Sequence, residues 1–307
     1  MSAAARPLRR IAFIGIGRMG APMAARLVGA GFDVRVVDTD VGAARSFVAA
    51  HGGSACADVA EAARDADAAI VMLPSDDAVR SVMLGAEGLK GVLPPDAIAI
   101  DMGTSSPTST REIAAVLARA RIHCVDAPVM GGVPFARDGT LEVMAGGDAG
   151  AIERCTPLFA ALARHVYRCG GVGTGHTLKA IANFVNAATL TVFAEALTLG
   201  RQAGLDESFM TDALRTLCTG RQHPLEKKIV PHVLTGRFAS GMAMGLTAKD
   251  LSIAAALGPQ IGAATPVATL MTTLWQRATD TLGAQADQTE IVRWWRDGAG
   301  DRDAPHG

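Results

Sequence analysis

The chain has 307 residues, 49% hydrophobic and 19% charged, and its 29 basic and 30 acidic side chains leave a formal net charge of −1. That length suits one large domain or two, and the balanced charge argues against nucleic-acid binding through a broad basic surface. Five cysteines without a C-x-x-C pair, and seven scattered histidines, argue against disulfides and zinc, so no metal is expected.

The N-terminal stretch Met1–Arg10 carries basic residues but no apolar core, unlike a secretory signal. A strand is predicted over Ile11–Gly15, inside IAFIGIGRMG at residues 11–20. Gly15, Gly17 and Gly20 form G-x-G-x-x-G directly after it, and a helix predicted over Met19–Ala30, closed by Gly31, leads to a second strand, Val34–Asp38. Strand, glycine turn, helix N-terminus and second strand together make a dinucleotide site. The first glycine permits the turn, the second lets backbone approach a pyrophosphate, and the third lets helix pack on strand. Arg18 and Met19 lie inside the motif and join its glycines as cofactor-binding candidates. Asp38, 18 residues after Gly20, is placed to accept hydrogen bonds from the adenosine ribose. Asp38 and Asp40 would repel a 2′-phosphate, so NAD is the expected cofactor; nearby Arg35 and Arg45 keep NADP as the alternative.

Further strands are predicted at Ala68–Leu73, Ala97–Asp101 and Ile122–Asp126, with helices at Gly42–His51, Asp58–Ala63, Asp76–Leu84 and Pro107–Ala120. Apolar strands alternating with helices predict a parallel sheet covered on both faces. A strand at Leu141–Gly146, a helix at Gly150–Ala163 and a strand at His165–Cys169 follow. Beyond Gly175 the pattern becomes helical: His176–Gln202 in one long helix, then Glu207–Leu217, Thr247–Ile261, Pro266–Leu282 and Gln288–Arg296. The apolar run Ile181–Leu199, interrupted by Asn183, Asn186 and Glu195, reads as a buried helix and not a membrane span. The tail Asp297–Gly307 is expected to fray. The expected fold is α/β, a Rossmann-type doubly wound parallel sheet over residues 1–170, followed by an all-α domain over 171–307 for substrate binding and oligomerisation.

In an open parallel sheet, ligands sit beyond the carboxyl ends of the strands. Leu73 and Pro74, in the turn before Ser75, are candidate cofactor contacts there. Thr104 and Ser105 could N-cap the following helix, or Thr104 could reach the nicotinamide ribose. Gly131 and Gly132 offer backbone amides to a substrate carboxylate. Lys179 and Asn183 are four apart on one face at the start of an apolar helix. Burial and a positive nicotinamide would lower the lysine pKa, which suits a general acid/base near neutral pH. His176 shares that face as a rival acid/base or a hydrogen-bonding residue.

With these motifs in this order, the chain resembles the β-hydroxyacid dehydrogenase family, which includes 3-hydroxyisobutyrate dehydrogenase and tartronate semialdehyde reductase. The likeness runs from FIGIGRMGAPM at residues 13–23 to Lys249-Asp250-Leu251. It implies that Lys179 is the catalytic lysine, that Asn183 positions substrate, and that Gly131 and Gly132 belong to the substrate-carboxylate loop. It also implies that Lys249 reaches the nicotinamide region. Two positions depart from the family pattern: Met130 stands where serine is usual, and Ala182 where asparagine is frequent. Both make the pocket less polar.

The resulting expectation is a cytoplasmic NAD(P)-dependent oxidoreductase that moves a hydride between the cofactor and a small β-hydroxy acid or its semialdehyde. It would bind small molecules, not nucleic acid or membranes, and form a homodimer or homotetramer. The alternatives are an imine reductase-like enzyme, against which Lys179 argues, and a non-catalytic NAD(P)-binding interaction protein, which would lack that lysine.

Overall fold

The structure, a computed structural model, describes residues 7–297. Its first elements are β1 (Arg10–Ile14), α1 (Gly20–Gly29), β2 (Asp33–Val37), α2 (Val41–His51), β3 (Ser54–Ala55) and α3 (Val59–Ala63). They continue as β4 (Ala68–Val71), α4 (Asp76–Leu84), α5 (Leu89–Val92), β5 (Ile98–Asp101), α6 (Pro107–Arg119) and β6 (His123–Asp126). The six strands pair in parallel in the order β3-β2-β1-β4-β5-β6. This is the doubly wound order expected, with the reversal between β1 and β4. The reason is visible in β1: Ile11 and Phe13 enter one core, Ala12 and Ile14 the other. Alternate residues of a strand face opposite sides, and here both sides are apolar, so helices must cover both.

The next elements are β7 (Val129–Met130), α7 (Val133–Asp138), β8 (Leu141–Gly147), α8 (Ala149–Arg154), α9 (Thr156–Leu162) and β9 (Ala163–Gly170). Here the parallel sheet gains an antiparallel extension. β8 runs antiparallel to both β6 and β7, and β9 is parallel to β8. The helix expected over 150–163 is two helices that meet at Cys155. Pro157 lies in the first turn of α9; it has no N–H and disfavours helical continuation through the residue before it. The short elements β3, α5, β7 and α7 were not anticipated, being too brief to show a period.

The helical part comprises α10 (Thr174–Gln202), α11 (Glu207–Cys218), α12 (Met244–Gln260), α13 (Pro266–Leu282) and α14 (Ile291–Arg296). A π-helical segment with Pro231 inside it spans Leu225–Val233, and the last expected helix opens as a 3₁₀ turn, Gln288–Glu290. Met244, Ala278 and Trp294 are the buried centre of this part. Glu195 accepts the amides of Val267 and Ala268, both at 2.8 Å, and so caps α13. The chain divides into two compact units between Phe184 and Val185, inside α10. The first turns of α10 are tied to the sheet unit by hydrogen bonds described below, while Glu195 is tied to α13.

The expectation of a buried helix over 181–199 is overturned. α10 is long and apolar enough to cross a membrane by length and composition alone, yet none of its most apolar stretch is buried. Phe184 is 72% exposed and Leu190 71%. Apolar periodicity shows that a face wants a partner, but not that the same chain supplies it. The tail expected to fray lies, from residue 298 onward, outside the described residues.

Candidate active site

The glycine turn is built by sterics. Gly15 has φ 91°, and a Cβ there would meet the Met72 carbonyl oxygen at 2.5 Å. A Cβ at Gly20 would overlap the Gly15 carbonyl. At Gly17 a Cβ would meet nothing within 4 Å, so that backbone faces open space. These are the demands of a turn whose middle glycine is approached by a pyrophosphate. The Met19 N-cap makes no side-chain cap hydrogen bond, leaving the α1 N-terminus available to an anion.

The turn opens onto a cleft of about 680 Å³. Gly15, Gly17, Arg18, Met19, Gly20, Asp38, Leu73 and Pro74 all line it. Val59, Ala78 and Ser81 also line it and had no sequence signal beyond their helices. Asp38 does two jobs. Its Oδ2 accepts Ile16 N at 2.9 Å and its Oδ1 accepts Asp40 N at 2.9 Å, which fixes the turn. A carboxylate has about four acceptor positions, so capacity for a ribose hydroxyl remains. The residues present therefore fit a dinucleotide.

Ser75 caps α4 through Ala78 N, so that turn residue is structural. Of the two alternatives for Thr104 and Ser105, capping of the helix is not observed. The N-cap of α6 is Ser106, without a side-chain cap; its amide is held by Asp76 at 2.9 Å. Ser105 Oγ instead donates to Asp101 Oδ2 at 2.6 Å, and Thr104 is exposed beyond β5.

Lys179 is 9% exposed, and its Nζ donates to the Val129 carbonyl at 2.7 Å. Burial lowers its pKa below the ordinary 10.5. Met130, the next residue, is half-buried on β7 opposite Glu142. Gly131 has φ 129°, and a Cβ there would meet Phe135 Cβ at 2.8 Å; Gly132 has φ 78° and precedes α7. The structure thus brings Lys179 to the strand that carries the Met130–Gly132 loop. Asn183, one turn further along α10, is exposed. Lys249 lies on α12 in the second unit, exposed, with Nζ 3.3 Å from Asp250.

Beneath α10 lies a buried polar group of which the sequence singles out only His176, as a rival acid/base or hydrogen-bonding residue. Asp101 and Asp126 end β5 and β6 in register. Asp126 accepts Gly173 N at 2.7 Å and His176 N at 2.9 Å, capping α10. His176 is 1% exposed, and its Nδ1 lies 2.8 Å from Thr110 Oγ1. Burial pushes the Asp101 carboxyl up from its ordinary value, opposed by His176 and by the bonds from Ser105 and Gly103. Aspartates closing two adjacent apolar strands were the available signal for this group.

Residues 10–171 match the family described as the NAD binding domain of 6-phosphogluconate dehydrogenase. Residues 173–295 match the one described as NAD-binding of NADP-dependent 3-hydroxyisobutyrate dehydrogenase. The chain is 31% identical to 2-(hydroxymethyl)glutarate dehydrogenase of Eubacterium barkeri, over 93% of this chain and 94% of that protein. It is 35% identical to NAD-dependent L-serine dehydrogenase of Pseudomonas aeruginosa, over 88% and 92%. It is 32% identical to 3-sulfolactaldehyde reductase of Escherichia coli, over 94% and 97%. Among solved structures, 3-hydroxyisobutyrate dehydrogenase of Mycobacterium tuberculosis with L-serine is 31% identical, with a TM-score of 0.66, over 95% of this chain and 100% of that one. An imine reductase of Myxococcus stipitatus reaches a TM-score of 0.84 over 94% of this chain and 99% of that one, at 18% identity, a likeness of fold alone. Glycine turn, cleft, buried lysine and both halves of the chain agree: the protein belongs to the β-hydroxyacid dehydrogenase family of nicotinamide-dependent oxidoreductases.

Proposed function

We propose that the protein interconverts a small β-hydroxy acid and its semialdehyde with NAD, and that Lys179 is the general acid/base. The observation that carries this reading is the buried Lys179 ammonium, lowered in pKa and held by a backbone carbonyl and not by a carboxylate. A lysine so placed releases its proton more readily than a surface lysine.

The bound nicotinamide supplies the hydride acceptor in oxidation and the donor in reduction. In oxidation Lys179 Nζ takes the hydroxyl proton; in reduction it returns a proton to the carbonyl oxygen. Asn183 orients the hydroxyl or carboxylate group. The amides of Gly131 and Gly132 hold the carboxylate, and Met130 sets the width and polarity of the same loop. Gly15, Gly17, Arg18, Met19, Gly20, Asp38, Leu73 and Pro74 hold the dinucleotide, with Thr104 at the nicotinamide ribose. Lys249 is assigned to the cofactor by the family resemblance. Holding the reactants in line supplies much of the acceleration.

The exposed apolar face of α10 supports a homodimer or homotetramer in which a second copy covers it. The free cysteines Cys56, Cys124, Cys155, Cys169 and Cys218 support a cytoplasmic setting. The test is a panel followed by cofactor absorbance: 3-hydroxyisobutyrate, L-serine, D-glycerate, L-threonate and 4-hydroxybutyrate, their aldehydes, and cyclic imines. Turnover of a hydroxy acid or its aldehyde is expected. Turnover of imines alone would replace this reading with an imine reductase. NAD binding without turnover of any compound would favour a binding protein.

A further inference from the structure

His176 and Asp101 come from different elements yet face each other in a site closed to water. The His176 side chain is 0% exposed and that of Asp101 4%, with Nε2 3.7 Å from Oδ2. Nε2 is buried without a hydrogen-bond partner. The other ring nitrogen is committed to Thr110 Oγ1, whose hydroxyl also lies 2.9 Å from the Ser106 carbonyl. If Thr110 gives its proton to Ser106, Nδ1 must donate to Thr110, and a neutral ring then leaves Nε2 bare toward the carboxyl. If Thr110 gives it to Nδ1, Nε2 carries the ring proton toward the carboxyl. In the first case the lone pairs of Nε2 and Oδ2 oppose each other unless a proton joins them. Nε2 and Oδ2 lie within ion-pair range but beyond hydrogen-bond distance, so a proton carried on Nε2 faces the carboxylate across a short gap closed to water.

The two ends of this axis lead to the two halves of the proposed chemistry. Asp101 holds Gly103 N at 2.9 Å and Ser105 Oγ at 2.6 Å, the loop that carries Thr104. His176 lies three residues before Lys179 on α10, where Asp126 holds its amide. Gly175 and Gly146 pack so tightly on Asp126 that a Cβ at Gly146 would meet its Oδ1 at 2.7 Å and one at Gly175 its Oδ2 at 2.9 Å. We propose that His176 is a positioning residue: a proton on its Nε2 faces the Asp101 carboxylate, and this buried charge contact holds the Gly103–Ser105 loop to the first turn of the helix that carries Lys179. This rests on the assignment of Lys179 as the proton-transfer group.

Two amide variants separate the two ring nitrogens. His176→Gln places an amide nitrogen near Nε2 and keeps a donor facing Asp101, while His176→Asn places one near Nδ1 and keeps only the bond to Thr110. H176N is expected to lose kcat by about 10²-fold, the size of a small misplacement of reacting groups, with KM and the NADH dissociation constant little changed. H176Q is expected to retain most of kcat. Hydrogen exchange in the absence of ligand should speed at residues 103–105 in H176N and not in H176Q. In the wild-type protein, ¹⁵N-histidine spectra should show a protonated Nε2 at His176.

A bare Nε2 in the wild type overturns the proposal, as does equal kcat in both variants or the reverse order, which would assign the role to Thr110. Faster exchange at 103–105 in H176N without a fall in kcat would also overturn it, since the tie would then be structural only. If the wild type turns over nothing in the substrate panel, the proposed function fails, and exchange and ¹⁵N spectra still decide whether His176 locks the loop.

Discussion

Lys179 Nζ donates at 2.7 Å to the carbonyl of Val129, the residue immediately before Met130. The proposed proton-transfer group and the loop proposed to hold substrate are thus joined by one hydrogen bond between a helix and a short edge strand. A change in that loop is therefore expected to be felt by the lysine.

Lys179→Ala is expected to lower kcat on the order of 10²–10⁴-fold, the usual contribution of a positioned acid/base. NADH binding, followed by fluorescence titration, should persist. Near-normal kcat would remove Lys179 from its role.

The direction of the Lys179 shift fixes the sign of the pH dependence. Burial lowers its pKa below 10.5, so deprotonation begins at lower pH than for a surface lysine. Oxidation needs the free amine, so its kcat/KM should rise with pH through that pKa. Reduction needs the ammonium and should fall over the same range. Parallel profiles in both directions would contradict a single acid/base.

Asp38 faces the cleft while fixing the Ile16 and Asp40 amides. Its charge would oppose a 2′-phosphate, so kcat/KM is expected to favour NAD over NADP. Asp38→Asn should narrow that preference and weaken NAD binding. A wild-type preference for NADP would mean that Arg35 or Arg45 holds the phosphate.

Met130→Ser tests the substrate loop. Methionine is a weak acceptor and no donor, whereas serine donates; a hydrogen bond to a charged carboxylate contributes about 1.5–3 kcal/mol. Kcat/KM for 3-hydroxyisobutyrate or D-glycerate should rise in the serine variant and fall for a less polar native substrate. Unchanged selectivity across the panel would show that Met130 does not meet substrate.

In the helical unit, burial alone would raise the Asp287 pKa. Hydrogen bonds from Thr289, Ser240 and Gly241 more than offset this and leave it at about 2. A folded pKa below the ordinary 3.8 means that its stabilisation is present above that value and is lost as pH falls toward 2. Asp287→Asn should therefore lower Tm at pH 7, and the gap to wild type should shrink on acidification. A constant gap would contradict the linkage.

Local steric and periodic constraints were legible in the sequence. The β1–α1–β2 unit was readable because its turn tolerates only glycine at positions 15 and 20, and because strands buried on both faces must be apolar throughout. The Lys179–Asn183 spacing was readable because a lysine at the start of an apolar helix is conspicuous. Short pieces such as β7 and α5 were not, since two or four residues carry no period.

What only the tertiary structure decided concerns pairs distant in the chain. The antiparallel run of β8 depends on which neighbours it hydrogen-bonds, which alternation alone does not specify. Ser105 donates to Asp101 and does not cap α6, and Asp76, 30 residues away, holds the amide of Ser106. Thr110 and His176 meet across 66 residues, and Asp126 and His176 across 50. The exposure of Phe184 and Leu190 was undetermined for the same reason. The sequence by itself determined most of the longer elements, the dinucleotide turn and the lysine helix, because backbone sterics and hydrophobic period act over a few residues. The tertiary structure decided which buried polar groups satisfy one another and which apolar face stays open, because those depend on three-dimensional proximity that no local pattern encodes.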